Sequence, residues 1–195
     1  MAAFIFVAVT VSACSETPLV LERFAHSADD PSSFYVCRAY GCRERSFVEL
    51  DDAEWRTVER MFDGADSSAE ERAQIASAVA QMEKIVGTKT GTDKDRAGAT
   101  MRGHGPHQLD CIDETVNTSL YLQLFADKGL MQFHEITTPA RRGSFIDGAW
   151  PHNTAVIIDR ETKMKYAIDS WFGKNGDEAD VVPLEIWLSG WSPSQ

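Results

Sequence analysis

Positive charge is scarce in this chain. Nineteen Lys and Arg stand against 30 Asp and Glu, a formal charge of −11, with an isoelectric point near 4.8. Such a surface repels phosphate, so no nucleic-acid partner is expected. The acidity names no cationic partner either, because acidic surfaces also serve solubility alone. There is no internal repeat and no second-domain boundary. Phosphate-loop and EF-hand spacings are both missing, which leaves nucleotide and EF-hand calcium sites without support. The conspicuous apolar run, residues 2–11, is too short to cross a bilayer as a helix. Cysteine is sparse, at four. What remains is a chain of 195 residues, 43 % hydrophobic and 25 % charged, enough for one domain with a proper core.

The apolar run has the length and position of a signal h-region. It ends in Val11-Ser12-Ala13-Cys14 and is followed by polar Ser15-Glu16-Thr17-Pro18. This is similar to a bacterial lipobox, which implies a leader over 1–13 and lipidation of Cys14. The protein would then sit in the bacterial cell envelope, facing the periplasm and anchored to the membrane by lipid. A departure is that no Lys or Arg precedes the run; a buried N-terminal helix or strand is the other reading. Cys37 and Cys42 are close enough to close a small disulfide loop in an oxidising compartment, or are two reduced buried cysteines. Cys111 is left as a single thiol.

Residues 14–50 are expected to form an extension of the mature chain with one or two short strands, and 51–195 the main domain. Asp51 and Glu54 open a helix as a capping pair, with Trp55, Val58, Met61 and Phe62 on one face. A second helix begins near Ser67, carries Ile75, Val79, Met82 and Val86, and is expected to stop at Gly87. Residues 87–107 form a glycine-rich connection placed to wall a cleft. A third helix runs from Asp110-Cys111 to about Lys128, with Ile112, Val116, Leu120 and Leu124 as its buried stripe. Strands are expected at 131–137, 153–159 and 165–171, the last two joined by a tight turn at Glu161-Thr162. Val181 to Trp191 packs back on the sheet. Helices followed by antiparallel strands describe an α+β domain.

The chemistry gathers at Cys111. A cysteine in a first helical turn gains from unpaired amides and the helix dipole, which favour the thiolate. Asp110 is a good N-cap, and the Cys111 N–H is left as an oxyanion donor. The Asp110 carboxylate opposes this electrostatically. His152 can act as base and Asp169 can orient its imidazole. A tight turn makes pairing positions sum to 323, which puts His152 and Asp169 on one face of neighbouring strands. Each also has a plain structural reading: a buried cysteine, a strand-edge histidine, a capping acid.

Cys111 heading a helix, followed by His152 and Asp169 on successive strands, resembles the transglutaminase-like branch of the papain-like cysteine peptidase superfamily. The likeness covers about residues 108–172 and is in particular to bacterial transglutaminase-like cysteine proteinases. It implies a nucleophile-bearing helix packed on an antiparallel sheet, and acyl transfer through a thioester on a protein or peptide substrate. No cofactor is implied. Gln108 and Trp150 are the nearest candidates for an oxyanion or substrate contact. The residues around Cys111 match no one substrate signature. A weaker alternative takes His104 and His107, with Asp110 and Cys111, as zinc ligands. A third is an inactive lipoprotein that binds envelope protein or peptidoglycan.

Overall fold

Alternation builds the first hairpin. In β1 (Ser33–Arg38) Phe34 and Val36 are buried while Tyr35 is exposed. It pairs antiparallel with β2 (Glu44–Glu49), Phe34 opposite Val48. This is a computed structural model, and it describes residues 30–99, 105–143 and 151–194. The expected leader, Cys14, His104 and Trp150 lie outside the described residues.

Helix α1 (Asp52–Glu59) starts with the expected capping pair. Asp51 Oδ1 accepts from the N–H groups of Ala53 and Glu54 at 2.8 Å, and Glu54 Oε2 accepts from Asp51 N–H at 2.9 Å. A 3₁₀ turn, Arg60–Phe62, continues it. Helix α2 (Ser68–Thr90) corrects the expected stop at Gly87. Gly87 lies inside the helix, where a Cβ would meet the Asn175 amide at 2.8 Å. It is a close-approach glycine. The stop is Gly91, in the left-handed conformation at φ 78°.

Helix α3 (Cys111–Asp127) ends with Lys128 as its cap and Gly129 at φ 70°. The expected single stripe understates it: every residue from Asp113 to Leu122 is buried. The helix runs through the middle of the molecule. Its polar residues are therefore paired: Asn117 Oδ1 accepts from Cys37 N–H at 2.7 Å and its Nδ2 donates to Cys37 O at 2.9 Å.

Four antiparallel strands follow in the order β3 (His134–Arg142), β4 (His152–Asp159), β5 (Lys165–Asp169), β6 (Asp180–Pro183). β3 is an edge strand and tolerates Pro139 at a register irregularity between Thr137 and Ala140. β4 is interior and covered on both faces, which accounts for its unbroken apolar Ala155–Ile158. Ala155 pairs with Ile168 and Val156 with Ala167, the register expected from a tight turn. Asp159 Oδ1 closes that turn by accepting from Glu161 and Thr162 N–H at 2.9 and 2.8 Å.

The sheet's two faces bury different things. Ala155, Ile157 and Ile168 join the main core with residues of α2 and α3. Ala167 and Val182 face the other way, against Trp187 of the short helix α4 (Leu184–Leu188). Phe34, Val36, Val48 and Leu50 belong to the main core, so the hairpin expected as part of an extension is packed with the helices as one unit. The result is a mixed α and β molecule, with helices on a four-stranded antiparallel sheet, compatible with the α+β class. Cys37 and Cys42 are joined by a disulfide.

Candidate active site

His152 opens β4, and Asp169 ends β5 one diagonal step away. Their shared face brings His152 Nε2 to 2.7 Å from Asp169 Oδ2. Both are buried, at 4 % and 2 % exposure. The same Oδ2 accepts from Trp187 Nε1–H at 2.7 Å, and Trp171 N–H donates to Oδ1 at 3.3 Å. The carboxylate is thus fixed from three directions. Rings fix the imidazole: Trp171, Phe172 and Trp187 lie 4.6, 5.2 and 5.4 Å from it, centroid to centroid. Arg142 stacks over Trp187 at 4.2 Å and donates to its carbonyl. With Nε2 committed, only Nδ1 remains for proton transfer. Nδ1 is buried and has no hydrogen-bond partner among the described residues. Such an atom calls for a function or a ligand.

Cys111 reaches the start of β4 from the opposite face. Its Sγ lies 4.0 Å from the Pro151 carbonyl and 3.7 Å from Asn153 Nδ2, so the residues before and after His152 hold the sulfur. No hydrogen bond links Cys111 to His152 among the described residues. Strand alternation is the reason: Asn153 faces α3, while His152 faces Trp187. The thiol is pushed up to about 11, first by burial and then by the Asp110 charge, against the lowering effect of the Asn153 N–H groups. The helix-terminus effect expected to favour a thiolate is therefore outweighed here.

The acids beside Cys111 have structural work. Asp110 caps α3, accepting from Ile112 and Asp113 N–H at 3.0 Å, and takes a further bond from Gly41 N–H at 3.0 Å. Asp113 accepts from Tyr40 N–H at 2.7 Å, Cys42 N–H at 2.6 Å and Asp110 N–H at 3.2 Å. They bind the β1–β2 loop to the start of α3. Behind them Glu114 accepts from Ser170 Oγ at 2.9 Å, and Glu83 accepts from Gly176 N–H at 2.8 Å.

Gln108 does not supply the expected oxyanion contact. It is buried, and its amide donates to Lys94 O at 3.0 Å and accepts from Arg96 N–H at 3.3 Å. Its role is to hold the glycine-rich connection, which packs on Trp171: Gly98 N–H donates to Trp171 O at 2.7 Å and Trp171 Nε1 to Ala99 O at 3.1 Å. That connection does flank the site. Of the zinc alternative, His104 lies outside the described residues. His107 is exposed beside Gly91, and among the described residues no three His, Cys, Asp or Glu are grouped to hold a metal.

Sequence reasoning missed Asn153 and Trp187. Alternation puts Asn153 on the face opposite His152, but only the packing of α3 on that face brings it to Cys111. Trp187 lay in a tail read only as apolar packing. The chain matches no protein-family model, no curated protein and no solved structure.

Proposed function

We propose that the chain is a cysteine hydrolase or acyltransferase acting on amide bonds, of transglutaminase-like, papain-like design. In this reading it is anchored by lipid at Cys14 on the periplasmic side of a bacterial cell envelope and takes protein or peptide substrates. The observation that carries it is His152: one nitrogen locked on Asp169, the other buried and unpaired, at the strand start whose flanking residues hold the Cys111 sulfur.

The thiol's height, about 11, sets the order of events. Cys111 rests as a thiol across β4 from His152, so its proton passes round the start of the strand to His152 Nδ1 through a water as sulfur adds to the substrate carbonyl carbon. The Asp169 carboxylate stabilises the imidazolium that forms. The oxyanion accepts from Cys111 N–H, which has no intrahelical acceptor in the first turn, and from Asn153 Nδ2. His152 then protonates the departing amine, leaving a thioester that water or a second amine opens.

The test is release of peptides from fluorescein-labelled casein, together with transfer of a dansylated amine onto it. Cys111→Ala and His152→Ala should each abolish both reactions, about 10³-fold or more, with the circular dichroism unchanged. Full activity in either variant overturns the proposal. Asn153→Ala should lower kcat about 10²-fold with little change in KM, as loss of one oxyanion donor does; a pure KM effect would assign Asn153 to substrate binding instead. The high thiol pKa favours the second reading, an envelope lipoprotein that binds without catalysis. Binding of casein without turnover, unchanged in Cys111→Ala, would establish it.

A further inference from the structure

The loop between β1 and β2 takes an uncommon path. Ala39, Tyr40, Gly41 and Cys42 are four consecutive residues at positive φ, 68°, 64°, 71° and 55°. Only one is glycine, and L side chains resist this conformation. A loop so built stays only where its surroundings hold it. Three things do: the Cys37–Cys42 disulfide across its base, the Asp113 carboxylate on Tyr40 and Cys42 N–H, and Asp110 on Gly41 N–H. The disulfide packs against Ile112 and Val116, the residues of α3 that follow Cys111 and its first turn. The base of the hairpin has its own attachment. Asn117 holds Cys37, and Arg38 pairs with Glu44 at 2.6 Å and donates to Pro106 O at 3.3 Å. Opening the disulfide would therefore free residues 39–42 and leave β1 in place.

We propose that the Cys37–Cys42 disulfide is a redox clasp on the Cys111 site, and that its reduction releases the strained loop from Asp110 and Asp113 and loosens the first turn of α3, which carries the thiol. The reductant is a dithiol. One thiolate attacks Cys42, which is half-buried and the more accessible of the pair, expelling Cys37 as a thiolate. The second thiol resolves the mixed disulfide, so the dithiol becomes a cyclic disulfide and Cys37 and Cys42 end as two thiols. Two electrons and two protons pass to the protein. Asp113 then loses two of its three N–H donors and Asp110 loses Gly41. A buried carboxylate stripped of donors does not keep its place, and the cap of α3 loosens with it. Control of activity rests on the reading of Cys111 as nucleophile; the clasp itself does not.

The experiment compares the full chain carrying Cys14→Ser with the same chain carrying Cys37→Ser and Cys42→Ser as well. In both, Cys111 is the one thiol open to iodoacetamide, and its alkylation is followed at pH 8 by peptide mass spectrometry. The expected result is alkylation at least about tenfold faster without the disulfide, the near-ultraviolet circular dichroism staying native. Ala39→Gly, added to the serine pair, removes strain at φ 68° and should slow alkylation back at least about threefold. Rates within twofold of each other overturn the clasp. So does collapse of the near-ultraviolet signal, because the disulfide is then a general brace. An alkylation difference with no casein turnover would leave the clasp standing while the hydrolase reading falls; equal alkylation with full turnover would do the reverse.

Discussion

Asp169→Asn should lower casein hydrolysis by about 10³–10⁴-fold while the protein stays folded. The size follows from what Asp169 Oδ2 does: it accepts from His152 Nε2–H and Trp187 Nε1–H at once, both at 2.7 Å. A carboxylate accepts from both. An asparagine must turn either its oxygen or its NH₂ toward them. With oxygen toward Trp187, the NH₂ faces His152 Nε2, and the imidazole answers by shifting its proton to Nδ1. In the proposed reaction Nδ1 receives the Cys111 proton, so there the base is blocked without being moved. Asp169→Ala is a different experiment, because it strands two buried donors and should destabilise the fold by about 2–5 kcal/mol. The checks are kcat for the Asn variant and urea unfolding for both. Turnover in Asp169→Asn within tenfold of the parent would mean that the pair orients nothing during catalysis.

The pairing of His152 with Asp169 was legible because strand register is arithmetic. One tight turn fixed which residues face each other, and the β4–β5 ladder keeps that register down to Ala155 opposite Ile168. Helix starts were legible for the same local reason, as Asp51 and Asp110 both cap as their side chains suggest. What escaped was set by contacts distant in the chain. Gly87 looked like a stop because nothing in the sequence announces Asn175 pressed against it. The side of the sheet from which Cys111 approaches depends on which face α3 covers, and alternation within β4 does not decide that. The acids around Cys111 do oppose a thiolate, and the structural work that places them there, holding the loop at 39–42 from about 70 residues away, is not written in the local sequence. The His152–Asp169 hydrogen bond follows from the expected register, whereas the hold of Asn153 and the Pro151 carbonyl on the thiol does not.

The protein should be most stable in mild acid and lose stability steadily from about pH 5 to pH 8. Four buried carboxyl groups set that window. Burial pushes Glu83 up to about 7, Asp113 to about 7 and Asp95 to about 6, and Glu114 well above its usual value with Glu83 as its strongest charged neighbour. The sign follows from proton counting. A carboxyl whose folded pKa is raised holds its proton between the unfolded value, near 4.5 for glutamate, and the folded one. Across that interval the folded state binds more protons than the unfolded state, so stability falls as pH rises. At the acid end the opposite case takes over. Asp159, held to about 2 by the Glu161 and Thr162 amides, contributes above about pH 4 and loses that contribution as pH falls further. Glu83 alone, ionised at pH 8 in a site that prefers it neutral, costs on the order of 3 kcal/mol. Glu83→Gln keeps an oxygen for the Gly176 N–H and removes the charge felt by Glu114. It should raise the melting temperature at pH 8 by about 5 °C or more, change it little at pH 5, and so flatten the pH profile. Melting curves across pH 4–8 check this, and a Glu83→Gln profile running parallel to that of the parent would show that the stability slope arises elsewhere.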